Sequence, residues 1–132
     1  MYTYQTTIRL HHTDAAGVVF FSHLFVIAHD AYESFLESHM PLSTLLSDEA
    51  YIIPIVHAEA DYLLPLSLSE TISVELSLEQ TGTSSFNLGY VIKNSKMETA
   101  VRLKTIHAVQ LKDDGMTIPI PESIRQALET LH

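Results

Sequence analysis

The sequence predicts an α+β domain in which one long helix packs against an antiparallel sheet. Three observations lead to this prediction. One long segment carries apolar residues at helical spacing, and the segments after it alternate apolar and polar residues as strands do. The order of a strand, a long helix and four further strands is typical of this class. A chain of 132 residues has the size of one domain, and no repeat or linker divides residues 1–132.

Local sequence also predicts where the long helix begins and ends. A strand over residues 3–13, rich in Thr, Tyr, Ile and Leu, precedes it. Ser22 is the expected N-cap, and Pro41 follows the last helical residue at about His39. Residues 42–49 could add one further helical turn. Because its apolar positions are so frequent, we expect this helix to be enclosed by the rest of the domain; they include Leu24, Ile27, Ala28, Ala31, Phe35 and Leu36.

Four further strands and a short helix are predicted after the long helix. The strands cover residues 53–62, 70–79, 83–94 and 100–111, and Pro121 opens a helix over residues 122–131. Successive side chains of a strand point to opposite faces, so the last strand should present one mixed apolar face. That face comprises Val101, Leu103, Thr105, His107 and Val109.

The predicted ratio of helix to sheet favours self-association. One helix cannot cover both faces and both edges of five strands, so apolar surface or an unpaired edge stays exposed. A twofold dimer that continues the sheet is the simplest closed assembly. We therefore expect a homo-oligomer, a dimer or a tetramer; a monomer with a polar outer face is the alternative.

Composition and charge exclude several classes of function. Seven Lys and Arg against 16 Asp and Glu give a net charge of −9, which argues against nucleic acid or an anionic membrane as partner. No cysteine is present, so disulfides, thiolate catalysis and Cys-ligated zinc are excluded. The first residues lack the pattern of a signal peptide, and no apolar run reaches about 18 residues. We expect a cytoplasmic protein.

The eight histidines do not predict a metal site. No pair has the spacing of a zinc motif, although a site assembled from distant residues remains an alternative. His11 and His12 should point to opposite faces of the first strand. His29 and His57 are expected to be hydrogen-bonded core or pocket residues. The sequence also lacks a serine nucleophile motif, a phosphate-binding loop and a dinucleotide fingerprint.

The segment with the clearest chemical content is the junction between the first strand and the long helix. Asp14 follows the strand, small residues come next, and the N-terminus of the helix begins within eight residues. Helix N-termini carry unpaired N–H groups and a partial positive charge, which suits a reaction whose carbonyl oxygen becomes negative. The alternative is that Asp14 only caps the turn. Glu33 is a second carboxylate, which we expect on a solvated helix face.

These residues resemble a known family. The segment TDAAGVVFF at residues 13–21, between a strand and an apolar helix, is similar to the hotdog-fold acyl-CoA thioesterases of the 4-hydroxybenzoyl-CoA thioesterase type. The resemblance continues through IPIVHAEADY at residues 53–62 and TSSF at residues 83–86. Ala15, Ala16 and the helical segment 29–33 look most like the 1,4-dihydroxy-2-naphthoyl-CoA thioesterases, which act in phylloquinone and menaquinone synthesis.

The resemblance implies a hotdog fold, in which a sheet wraps one long helix, and active sites made by dimers that often pair into tetramers. Asp14 matches the catalytic carboxylate, and Phe21 matches the residue whose backbone N–H polarises the thioester carbonyl. No metal or organic cofactor is implied, since coenzyme A is part of the substrate. Several relatives carry His where Phe21 stands. The positions that match substrate-lining segments are Gly17, Ile53, Pro54, Ile55, Thr83, Ser84 and Ser85.

We therefore expect hydrolysis of an acyl-CoA thioester, with Asp14 either attacking the carbonyl or activating a water molecule. Alternatives are 4-hydroxybenzoyl-CoA or another acyl-CoA as substrate, and a non-catalytic module that binds acyl-CoA or an acyl carrier. A hotdog dehydratase is disfavoured, because its Asp–His pair is absent. An aromatic acyl group would contact Phe21, Tyr32, Phe35 and residues 53–55. The clustered cations available for the coenzyme A phosphates are Lys93, Lys96, Arg102 and Lys104.

Overall fold

One antiparallel sheet and one long helix dominate the computed structural model, which describes residues 1–41 and 50–131. The sheet has five strands in the spatial order β1-β4-β5-β6-β3, and β2 and β7 form a separate pair. The elements in chain order are β1 (Tyr2–Thr7), a 3₁₀ turn (Leu10–His12), α1 (Phe21–Glu37), β2 (Tyr51–Ile52), β3 (Ile55–Tyr62), β4 (Thr71–Thr81), β5 (Ser85–Lys93), β6 (Thr99–Ala108), β7 (Gln110–Leu111) and α2 (Glu122–Leu128).

The core lies between α1 and one face of the sheet. Every apolar helix position named from the sequence is buried, and Tyr32 is buried with them. Alternate residues of the strands face the helix, such as Leu76, Leu88 and Leu103. The opposite side of α1 stays open, since Val26 is half exposed. A helix laid across a five-stranded antiparallel sheet of this order is the hotdog architecture, which confirms the predicted fold class.

Local hydrogen bonds move two predicted boundaries. β1 ends at Thr7, because the Arg9 backbone N–H donates to Nδ1 of His12 and the chain turns there. His11 and His12 therefore lie side by side, with ring centroids 4.1 Å apart, and do not point to opposite faces. The helix N-cap is Phe20, so the prediction of Ser22 as the cap is wrong.

The chain between the helix and the second half of the sheet also differs from the prediction. The strand predicted at residues 53–62 begins two residues later, at Ile55, and the strand predicted at 100–111 is divided into β6 and β7. The turn suggested for residues 42–49 lies outside the described residues. Within the part of the chain that the structure describes, no helix is long and apolar enough to span a membrane.

Strand β3 forms one edge of the sheet, and no strand pairs with its outer side among residues 1–41 and 50–131. Seven of its eight residues are exposed, including Ile55 at 42% and Val56 at 55%. Leu63 and Leu64, which follow it, are exposed as well. An exposed edge strand of this length, which presents both apolar and charged side chains, is a template for pairing with another strand.

Candidate active site

A closed loop carries Asp14 to the start of the helix. Thr13 pairs with Val19 across the loop, and the Phe20 N–H donates to the carbonyl oxygen of His12 (2.9 Å). Gly17 occupies the left-handed region at φ +77°, where a side chain would strain the turn. The loop therefore holds Asp14 close in the chain to the first residue of α1.

The Asp14 carboxylate has one engaged oxygen and one open oxygen. Oδ1 accepts hydrogen bonds from the backbone N–H groups of Ala16 (2.8 Å) and Val18 (3.4 Å), so the turn-capping role foreseen for Asp14 is present. No hydrogen bond to Oδ2 occurs among the described residues, and the side chain is exposed. The same residue can therefore hold the turn and present a carboxylate oxygen to a bound molecule.

Phe21 presents a backbone donor next to this loop. It is the first residue of α1, and its N–H has no acceptor within residues 1–41 and 50–131. The unpaired N–H groups at a helix N-terminus carry a partial positive charge. The backbone of Phe21 can therefore donate to an oxygen that gains negative charge, as the resemblance implied.

The turn at residues 66–70 is hydrogen-bonded to the loop at residues 13–19 that carries Asp14. The Leu68 N–H donates to the carbonyl oxygen of Gly17 (3.0 Å), and Val18 pairs with Ser67. Glu70 fixes this turn, because it accepts hydrogen bonds from the Ser67 N–H and from Ser95. The bond from the Ser95 backbone N–H is the main reason that the pKa of Glu70 lies below its ordinary value.

An apolar cleft opens beside Phe21. Its volume is about 370 Å³, and the rings of Phe21 and Tyr62 form one wall in an edge-to-face contact with centroids 6.4 Å apart. A mainly apolar cleft next to a few polar groups is the usual form of a small-molecule site. The remaining lining residues are Val18, Val19, Leu24, Leu63, Leu64, Pro65, Leu66 and Val101.

The other predicted substrate-lining residues lie together, but far from Asp14. The Ala108 N–H donates to the carbonyl oxygen of Pro54 (3.1 Å), and the Val109 N–H donates to that of Ser84 (2.9 Å). The end of β6 therefore joins the segments 53–55 and 83–85. This group lies at the Ile55 end of β3, whereas the cleft lies at its Tyr62 end, about 23 Å away at the usual rise per strand residue.

Two predicted wall residues are not part of the cleft. Tyr32 is 5% exposed and Phe35 is 1% exposed, because both point from α1 into the core. Within one protomer these two side chains therefore do not reach the cleft and cannot contact an aromatic acyl group there, contrary to the prediction. Glu33 does lie on the solvated face of α1, as predicted, where it is 3.4 Å from His29.

The two histidines expected in the core or in a pocket are not buried, whereas His12 and His107 are. His29 and His57 are both about half exposed, so neither is a core residue, but each lies beside a carboxylate: His29 beside Glu33 and His57 in a hydrogen bond with Glu59. His107 is fully buried. The alternation of β6 had placed His107 on the inner face, and this was the available signal.

His107 belongs to a buried polar chain beneath the helix. Its Nε2 lies 2.8 Å from Oγ1 of Thr105, which is 2.9 Å from the Tyr90 hydroxyl, and its ring stacks on Phe86. Its Nδ1 is buried without a hydrogen-bond partner among the described residues. Burial, with a smaller contribution from His29, lowers the pKa of His107 to about 4. The imidazole is therefore neutral at pH 7.

The clustered cations do not form a basic patch. Lys93 Nζ lies 3.2 Å from a Glu75 oxygen, and Lys104 Nζ lies 3.4 Å from a Glu79 oxygen. These pairs lie on the outer face of the sheet, away from the helix, and Arg102 is exposed on the same face. The charges of Lys93 and Lys104 are therefore neutralised locally, and neither lysine nor Arg102 lines the cleft.

Three histidines lie beside the Asp14 loop without metal-binding geometry. The ring centroids of His12 and His23 are 6.2 Å apart, and His23 Nδ1 lies 3.0 Å from the His12 carbonyl oxygen. Burial is the main reason that the pKa of His12 lies below its ordinary value, and the nearby His11 adds to this effect. Among residues 1–41 and 50–131, no group of three His, Asp or Glu side chains could hold a metal ion.

The helix, the sheet order and the loop at the helix N-terminus together define a protein of the hotdog class. The family model described as the thioesterase-like superfamily matches residues 8–128, which is most of the chain. The chain belongs to this family, so the predicted family, fold and enzyme class are confirmed.

Similar proteins come from cyanobacteria. A 1,4-dihydroxy-2-naphthoyl-CoA hydrolase of Rippkaea orientalis is 36% identical over 98% of this chain and 96% of its own length. The corresponding hydrolase of Synechococcus elongatus is 34% identical over 97% of this chain and 95% of its own. The crystal structure of a 1,4-dihydroxy-2-naphthoyl-CoA thioesterase from Synechocystis superposes with a TM-score of 0.91 at 29% identity, covering 96% of this chain and 94% of that one.

Proposed function

We propose that this protein hydrolyses 1,4-dihydroxy-2-naphthoyl-CoA to the free aromatic acid and coenzyme A. The observation that carries the proposal is the open oxygen of Asp14 on a loop that leads directly to the unpaired Phe21 N–H. The full-length similarity to hydrolases of this thioester supports the substrate class. The apolar cleft beside Phe21 supports an aromatic acyl group.

The chemistry follows from these two groups. The Phe21 N–H donates to the thioester carbonyl oxygen and stabilises the negative charge that develops there. Asp14 either takes a proton from a water molecule that attacks the carbonyl carbon, or attacks that carbon itself to form a mixed anhydride that water then hydrolyses. In both routes the carbon–sulfur bond breaks, and the coenzyme A thiolate leaves and takes up a proton.

The active site requires two copies of the chain. In one protomer the apolar cleft lies at the Tyr62 end of β3, and the segments 53–55 and 83–85 lie at its Ile55 end. The usual rise per strand residue makes this separation about 23 Å. Antiparallel pairing of the exposed β3 edge with the same edge of a second copy would place the Ile55 end of one chain beside the Tyr62 end of the other. Two equivalent composite sites result, and the apolar edge is covered.

We expect light scattering at micromolar concentration to give at least twice the monomer mass of 14.8 kDa. Val56→Lys places a charge on the exposed edge, and edge lysines oppose strand pairing, so this variant should dissociate and lose activity together. Met97→Lys adds the same charge at another exposed apolar position and should retain both. A monomer mass for the unsubstituted protein would contradict the composite site.

The substrate is tested with a panel of thioesters. Because the cleft of about 370 Å³ is lined mainly by apolar side chains and the rings of Phe21 and Tyr62, we expect a higher kcat/KM for 1,4-dihydroxy-2-naphthoyl-CoA and 4-hydroxybenzoyl-CoA than for palmitoyl-CoA. Equal or reversed preference would reject the aromatic assignment and leave the enzyme class intact. Tight binding of a non-hydrolysable analogue without turnover of any thioester would instead indicate a binding module.

A further inference from the structure

We propose that Arg125 on α2 binds the phosphate groups of the coenzyme A part of the substrate. This inference rests on the proposed function, because it concerns the end of the substrate that lies away from the thioester. Arg125 belongs to none of the segments that carry the family resemblance, and helix α2 has no part in the thioester chemistry described above.

The guanidinium of Arg125 lies on the loop that precedes β5. Nη2 donates to the carbonyl oxygen of Gly82 (3.2 Å) and lies 3.5 Å from that of Thr83. The same loop is also held by the Ile120 N–H, which donates to the Thr83 carbonyl oxygen (2.9 Å). Arg125 is therefore held next to residues 83–85, the part of the composite site that is farthest from the protomer's own cleft.

The contacts leave most of the guanidinium available. Arginine has five N–H donors in a planar fork that matches a phosphate, and the two loop contacts use Nη2 alone. The side chain is only partly buried. Glu122 on the same helix and Glu129, its C-cap residue, lie three and four residues from Arg125, but within residues 1–41 and 50–131 neither forms an ion pair with Arg125.

The charge of the whole chain makes a local cation necessary. At a net charge of −9 the long-range field opposes the approach of an anion as highly charged as coenzyme A. Lys93 and Lys104 are paired with carboxylates on the outer sheet face. Among the residues that the structure describes, Arg125 is the cation that contacts the 82–85 loop, and no ion pair neutralises its charge there.

The competing interpretation is that Arg125 only attaches α2 to the loop. Two substitutions separate the roles. Arg125→Lys retains the charge and removes the planar fork, whereas Arg125→Gln retains a donor for the loop carbonyls and removes the charge. Arg102→Ala is the control, because it removes the same charge from the outer sheet face, six residues along β6 from Ala108.

The experiment compares two substrates with the same aromatic acyl group. One is the coenzyme A thioester, and the other is the N-acetylcysteamine thioester, which ends before the phosphates. For Arg125→Gln we expect kcat/KM on the coenzyme A thioester to fall about tenfold or more, mainly through KM, since hydrogen bonds to charged groups are among the stronger ones. On the truncated thioester kcat/KM should be unchanged. Arg125→Lys should retain most of the preference, and Arg102→Ala all of it.

The outcomes are distinct. Equal losses on both thioesters in Arg125→Gln would show that Arg125 only holds the loop and would overturn the proposal. An equally large loss in Arg125→Lys that is confined to the coenzyme A thioester would support phosphate binding and assign it to the planar fork. Unchanged kinetics in both variants would overturn it as well. If the unsubstituted protein hydrolyses neither thioester, the proposed function fails, and this inference fails with it. Thermal unfolding of each variant verifies that the fold is retained.

Discussion

Asp14→Asn is expected to lower kcat at least about a hundredfold while KM and the free energy of unfolding change little. The asparagine side-chain oxygen can still accept the hydrogen bonds from Ala16 and Val18, so the loop keeps its shape. The negative charge that takes a proton or attacks the carbonyl is lost. Steady-state kinetics on the aromatic thioester, together with thermal unfolding, measure both effects.

Glu33→Gln is the matched control for Asp14→Asn. It removes a carboxylate of the same charge from the solvated face of α1, where Glu33 contacts only His29 among the interactions described, and it should leave kcat nearly unchanged. If Asp14→Asn remains active, Asp14 is a turn cap and nothing more. Loss of activity in Glu33→Gln alone would move the catalytic carboxylate to the helix.

A single turnover in ¹⁸O-labelled water separates the two roles left open for Asp14. Direct attack passes through an anhydride, so labelled oxygen can enter the Asp14 carboxylate when water opens the anhydride on the protein side. General-base catalysis places the label in the product acid alone. The geometry of one engaged and one open oxygen allows either route.

The stability of the protein should fall on acidification because of His107. The pKa of its imidazole is about 4 in the folded protein, where burial disfavours the charged form, against an ordinary value of 6.5. Between these pH values the unfolded chain binds a proton that the folded chain does not, so stability rises with pH. The free energy of unfolding is therefore highest, as far as His107 is concerned, above about pH 6.5. It falls by about 3 kcal/mol as the pH is lowered to about 4.

Urea unfolding at several pH values tests this effect against a matched variant. The groups around His107 are Tyr32, Tyr90 and His29, and burial raises the pKa of Tyr90 to about 12, so the tyrosines stay neutral throughout the range. His107→Gln removes the titrating ring and should flatten the profile between pH 7 and pH 4, although it is less stable at pH 7. A profile that is parallel to that of the unsubstituted protein would assign the acid sensitivity to other groups.

Most of the fold could be predicted from periodicity. The buried positions of α1 repeat every three or four residues, and the inner faces of β4, β5 and β6 alternate along the chain. The ends of the elements do not follow from periodicity, because single contacts decide them. Nδ1 of His12 accepts the Arg9 N–H and ends the first strand early, and no pattern of hydrophobicity encodes that bond.

The candidate site was predictable only in part. Asp14 and Phe21 lie within eight residues of each other, so their common location follows from chain connectivity and a helix start. The role of Glu70 was not visible, since its partners, Ser67 and Ser95, are brought together by the turns at the ends of β4 and β5. Arg125 was missed for the same reason, because its contact with Gly82 spans 43 residues.

The sequence by itself determined the class of fold, the family and the carboxylate loop, because each depends on local periodicity or on a contiguous motif. Only the tertiary structure decided how the remaining site residues are distributed. Pairing of β3 with β6 places the segment 53–55 beside 83–85 at one end of the sheet and leaves Tyr62 with the cleft at the other. Strand pairing is a non-local choice governed by backbone hydrogen bonds, and it separates residues that the motif alone would have grouped in one pocket.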